Sequence, residues 1–178
     1  MAAPPETNLH TLSGKYKLNK GLSADIAAIL SLQGTNSLTA KAISSASITL
    51  TISQPNAHQY EVKQSVTSAA IPGTTEQYIL DDQWRTNSDP FFGRVKGKAK
   101  WISMEELKGL DDIPEGWDDS DDGKLILAEG GSEDGKWSAF RVWGFRQVEG
   151  DRRWVQAVRV WNDKGEKIVG NMVYDYVH

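Results

Sequence analysis

The chain has 178 residues, 39% of them hydrophobic, which suffices for one domain with a real core, and no second independent domain is expected. It contains no cysteine, so disulfide frameworks, thiolate catalysis and cysteine-bound metals are excluded, and its three histidines (His10, His58, His178) stand far apart. A net charge of -4 argues against a dedicated nucleic-acid binder, and the longest apolar stretch, near Ile26 to Leu32 and broken by Ser31, falls far short of the roughly 20 residues a membrane span needs.

Met1 to Asn8 shows neither a basic nor an apolar leader character; it reads as a disordered lead, and a cytoplasmic location is expected. Gly14 to Asn19 alternates Tyr16 and Leu18 with lysines, the period of a half-buried strand. A helix follows over Leu22 to Gln33, with Ser23 as N-cap, Ile26, Ile29 and Leu30 on one face and Gly34 as the stop signal. Asn36 caps a second short helix through Leu38, Ala42 and Ile43, so the two form a helical hairpin. From Ser47 the period changes to two. Ser47 to Gln54 and Gln59 to Thr67 make a hairpin about Pro55-Asn56; Thr75 to Trp84 and Phe92 to Ile102 continue it, the last with its lysines outward. Glu105 to Asp134 holds half of the 24 acidic residues, which predicts a short helix near Glu105 to Gly109, then a solvated loop with a strand at Lys124 to Ala128. Lys136 to Val148, Arg152 to Trp161 and Lys167 to Val177 are long strands joined by glycine-bearing turns. About nine strands in up-and-down order predict a mainly β fold, a closed antiparallel β-barrel over residues 9–178 with the helical hairpin as a lid between the first and second strands.

That order, with Gly14-Lys15-Tyr16 where a Gly-x-Trp would open the first strand, resembles the fatty-acid-binding branch of the lipocalin-like calycin superfamily. That family often holds a carboxylate with Arg and Tyr near the C-terminus, a role the resemblance offers to Arg159 and Tyr174. The runs LSGKYKLNK, LQGTNSLTAKAI, FGRVKGKAKW and VYDYV are similar to small lipocalin-like proteins of filamentous fungi, a group that includes hetero-Diels–Alderases of tropolonic sesquiterpenoid pathways. The resemblance implies a cofactor-free cyclase, a pericyclase of natural-product biosynthesis. The alternative is a non-catalytic carrier of fatty acids or other hydrophobic metabolites; either way the partner is a hydrophobic small molecule.

All seven tryptophans lie from Trp84 onward, so the C-terminal half supplies the bulky walls of a core or of a ligand cavity. On the strand from Trp137, one face carries Ala139, Arg141, Trp143 and Phe145, the other Phe140, Val142 and Gly144, and neither is cleanly polar. Alternation therefore admits two orientations: Arg141 and Trp143 lining a cavity, which we adopt, or a surface Arg141 with an ordinary core Trp143. Gln156, Asn171 and Tyr174 are candidate hydrogen-bond donors to a ligand oxygen, and Gln64, on an otherwise apolar face, needs an interior partner. Trp101, among the small residues Gly97 and Ala99, is either a stacking wall or a core plug. In the cyclase reading Arg141, Gln156 and Tyr174 polarise an enone or quinone-methide oxygen, while Trp101 and Trp143 stack on the flat partner.

GxSxG, P-loop, HExxH and dinucleotide glycine motifs are absent, so no cofactor is expected. Asp118, Ser120, Asp122, Gly123 and Glu129 have the spacing of a calcium loop but lack flanking helices; they read as an acidic solvated loop, and no metal is expected. Trp117 in that loop is read as serving a homodimer interface or a lid.

Overall fold

Residues 1–67, 71–118 and 122–177 are described by a computed structural model. The alternating segments become ten strands: β1 (Gly14–Leu18), β2 (Ile48–Asn56), β3 (Gln59–Val66), β4 (Thr74–Ile79), β5 (Arg85–Asp89), β6 (Gly93–Ser103), β7 (Lys124–Ser132), β8 (Trp137–Val148), β9 (Asp151–Asn162) and β10 (Lys167–Val177). They form one antiparallel sheet in the order β4-β3-β2-β1-β10-β9-β8-β7-β6-β5. The first strand pairs with the last, Tyr16 opposite Tyr176 and Leu18 opposite Tyr174, which curls the sheet into a nearly closed barrel. β4 and β5 are its edges, and no ladder joins them among the described residues. The expected fold class is the observed one; the additional strand is β5, whose sequence RTNSD carries no apolar alternation because its side chains are largely exposed.

The inward positions build one core. Tyr16, Trp143 and Trp154 are fully buried in it, with Leu50, Ile52 and Tyr60 packed around them. Beside the β2–β3 turn, a short 3-10 turn (Leu9–Thr11) plugs the barrel end with Leu9 and Leu12, both fully buried. Its carbonyls are satisfied from inside: Tyr60 Oη donates to the Leu9 carbonyl at 2.7 Å and Tyr16 Oη to that of Leu12 at 3.1 Å. The segment 1–8, expected as a disordered lead, lies against this same end. The Ala3 amide donates to the Arg152 carbonyl at 2.8 Å, and the Arg152 guanidinium donates to the Thr7 carbonyl at 2.7 Å, giving the short peptide fixed backbone partners.

The helical hairpin, α1 (Ile26–Leu32) and α2 (Ser37–Ser45), closes the opposite end. Asn36 caps α2 as the sequence predicts, its Oδ1 accepting from the Thr39 amide at 2.9 Å. For α1 the cap is Asp25, accepting from the amides of Ala27 and Ala28 at 2.9 and 3.2 Å. Ser23 is drawn elsewhere: its hydroxyl donates to the Asn19 carbonyl at 2.6 Å and accepts from the Val173 amide of β10, so it ties the lid's root to the barrel.

After α3 (Met104–Leu107) the chain does not stand off in solvent as expected. Leu107 joins Ile102, Leu125, Leu127, Phe140, Val142 and Ala157 in a second apolar cluster on the outer face, and Leu110, Ile113 and Trp117 pack onto it. Trp117, expected at a lid or a homodimer interface, packs half-buried on this outer cluster and not on the helical lid: it donates Nε1–H to the Pro114 carbonyl at 2.7 Å and lies under the Arg146 guanidinium. Ser120 of the calcium-like spacing, and His178, lie outside the described residues. No cluster of three His, Asp or Glu side chains that could hold a metal occurs among the described residues, and no helix there is long and apolar enough to cross a membrane.

Candidate functional site

Between the lid and the core lies a cavity of about 580 Å³. Ile26, Ile29 and Leu30 of α1 and Ile43 of α2 form its roof; Phe91, Phe92, Val95, Ala99, Val158 and Met172 supply apolar walls. Polar groups from β5, β6 and β7, among them Arg85, Asp89, Lys96, Lys98 and Glu129, also line it, and a separate set converges on its floor, where Gln64, Glu76, Tyr78, Arg141, Gln156 and Tyr174 surround a small adjoining void of about 30 Å³. A polar void of that size accommodates a water molecule or a ligand's oxygen.

Strand alternation brings these residues together. Arg141 and Trp143 occupy the inward face of β8, Gln156 that of β9, Tyr174 that of β10 and Gln64 that of β3, each on the cavity or its floor. Trp143 is fully buried and meets the Tyr78 ring edge-on at 4.6 Å, so it forms the wall under the floor. Glu76 and Tyr78, on β4, were not foreseen, yet they organise the site. Arg141 Nη2 donates to Tyr78 Oη at 2.7 Å and lies 3.3 Å from Glu76 Oε2, while the Tyr78 hydroxyl donates to that same carboxylate oxygen. The side chains of Arg141 and Glu76 keep 37% and 44% of their surface, and both line the cavity, so that surface opens onto its interior.

Electrostatics lock this arrangement. Burial works against the Arg141 charge, but the facing Tyr78, Glu76 and Tyr174 outweigh it and hold the guanidinium more firmly protonated than an ordinary arginine. Burial pushes the Tyr78 hydroxyl well above the usual tyrosine pKa, with Arg141 opposing and Glu76 adding to the shift. Tyr174 is pushed up in the same way, by burial first. At neutral pH the floor thus carries one cation, one anion and neutral hydroxyl and amide groups.

Two of the residues expected at the site stand apart from it. Trp101 shares a strand face with Ala99 but lies further along, at the plugged end; its Nε1–H donates to the Ala57 carbonyl at 3.2 Å and its ring stacks on His10 at 4.8 Å. It packs half-buried against the main core rather than lining the cavity. Asn171 falls between Gly170 and Met172 on β10, so the pleat turns it away from the cavity that Met172 and Tyr174 line. Its carbonyl receives the Ala24 amide at 2.8 Å, which anchors the lid. Arg159, offered by resemblance for a carboxylate, is on the outer face, 3.5 Å from Asp112 and over the Trp161 ring. Arg141, by contrast, lines the cavity.

No family model matches the chain, and no curated protein matches it. Solved structures do. The fluorescent protein UnaG wild type aligns with a TM-score of 0.63 at 13% identity over 95% of this chain and 99% of its own. A mutant of the fatty acid transporter REP1-NXSQ gives 0.62 at 13% identity over 93% and 98%. The fatty-acid-binding protein 1 of Echinococcus granulosus gives 0.59 at 15% identity over 94% and 98%. With strand order, lid and plugged end already in place, these alignments show that the chain shares the β-barrel fold of these proteins.

Proposed function

We propose that the protein is a carrier of a hydrophobic small molecule, whose apolar body lies under the α1–α2 lid and whose polar end meets the Arg141–Tyr78–Glu76 group. The cavity carries this reading: an apolar roof and apolar wall positions above a convergent polar floor can orient an apolar ligand, and about 580 Å³ is within the usual size of small-molecule sites. The fold supports it too, since a fatty acid transporter and a fatty-acid-binding protein share it. The cofactor-free cyclase of tropolonic-sesquiterpenoid type needs the same enclosure and the same donors, Arg141, Gln156 and Tyr174, and rests on the likeness of short sequence runs. Bound material decides between the two.

The test is titration with the neutral apolar dye Nile red, followed by mass spectrometry of material retained from a natural-product extract. Saturable binding with blue-shifted emission is expected, and its loss in Ala139→Trp, which fills the cavity, with the fold checked by circular dichroism. A chemically unchanged ligand is the expected retained species. A new covalent product formed only with protein would replace the carrier with the cyclase, and a dye that does not bind would remove both.

A further inference from the structure

The cation of the cavity floor already has its counter-ion. Glu76 reaches inward from the edge strand β4, lies 3.3 Å from Arg141 Nη2, and receives the Tyr78 hydroxyl hydrogen, while Arg141 donates to the Tyr78 oxygen at 2.7 Å. Both polar positions of Tyr78 are therefore used. On the floor the side-chain amides of Gln64 and Gln156, the Tyr174 hydroxyl and the indole N–H of the fully buried Trp143 make no hydrogen bond to the described residues. An amide and a hydroxyl each donate and accept, and none carries charge.

A ligand carboxylate entering this floor would meet a second carboxylate across Arg141. Two like charges in a desolvated site oppose each other, and displacing Glu76 would leave it unpaired inside the barrel. An alcohol, phenol or ketone pays neither cost and finds matching partners in Gln64, Gln156 and Tyr174. We infer that the ligand's polar end is an uncharged oxygen function, and that Glu76 is the residue that sets this specificity by excluding carboxylates. The inference rests on the carrier reading and narrows its ligand class.

The experiment uses two probes with the same tail, dodecan-1-ol and dodecanoate, each competing with Nile red at neutral pH on the intact chain and on Glu76→Gln. The intact chain is expected to bind the alcohol at least about tenfold more tightly than the carboxylate. In Glu76→Gln the preference is expected to shrink by about tenfold, because the carboxylate gains that much from the uncovered Arg141 while the alcohol changes little. A carboxylate preference in the intact chain, or an unchanged ratio in the variant, overturns the inference. If Glu76→Gln does not fold, the ratio in the intact chain decides alone. Nile red binding that neither probe displaces overturns the inference and leaves the carrier reading standing; absence of Nile red binding ends both.

Discussion

Arg141 holds a positive charge inside a barrel only because β4 brings Glu76 and Tyr78 to it. Arg141→Met keeps the bulk but strands the carboxylate. Breaking a fully buried pair costs about 3–5 kcal/mol, and because this one is only half-buried the expected loss is about 1–3 kcal/mol. Urea unfolding of the single variant and of Arg141→Met/Glu76→Gln checks this: the double variant is expected to recover most of the loss, and a single variant as stable as the parent would contradict it. The buried tyrosines make a second expectation. Burial raises Tyr16, Tyr78 and Tyr174 above the ordinary value of 10.0, so above that pH the folded chain retains protons that the unfolded chain has released. Their stabilising contribution is full below pH 10 and declines as pH rises beyond it. Urea midpoints between about pH 8 and 11 are expected to fall only in the upper part, and less so in Tyr78→Phe. At this scale the sequence singled out Arg141, Trp143, Gln156, Tyr174 and Gln64, which line the cavity or its floor, because long alternating strands leave only two orientations to weigh. It hid Glu76 and Tyr78, which sit on a short edge strand where Ile79 gives the opposite face an apolar residue as well.

Among the elements, the lid and the outer cover are held by close approaches that a single methyl group disturbs. A Cβ at Gly144 would stand 2.5 Å from Leu125 Cδ2 and 2.6 Å from Trp117 Cε3, so the glycine is what lets Trp117 lie on β8. Gly144→Ala is expected to cost about 1–3 kcal/mol and to shift tryptophan emission as Trp117 lifts. Unchanged stability and emission would mean that the outer cover is not packed as described. A Cβ at Gly170 would stand 2.5 Å from that of Ala24, at the root of the lid. Gly170→Ala is expected to speed Nile red dissociation severalfold, since the lid must shift to admit the methyl group. An unchanged rate would mean that the α1 side is not the exit route. The helical hairpin itself was legible from Asn36, Gly34 and the apolar spacing. The start of α1 was not, because Ser23 and Asp25 are both good caps and only β10, distant in sequence, takes Ser23 for itself. Segment 104–118 misled for a related reason: Leu107, Leu110, Ile113 and Trp117 are scattered among acids, and their common cover is visible only once β7, β8 and β9 lie side by side.

For the whole molecule, alternation in many short strands announced a β-barrel, but the pairing of β1 with β10 and the open seam between β4 and β5 are relations between distant segments. They shape the site. Closure creates the cavity, and the edge strand delivers the anion that neutralises it. The central claim is that an apolar molecule lies inside the barrel with its polar end at Arg141. Nuclear Overhauser contacts between dodecan-1-ol and the isotope-labelled protein test it most directly. The alcohol's CH2–OH end is expected beside the Tyr78 and Tyr174 rings and its terminal methyl beside Ile29 and Leu30. Contacts confined to the outer cover at Leu110 and Ile113, or a reversed orientation with the hydroxyl under the lid, would contradict it.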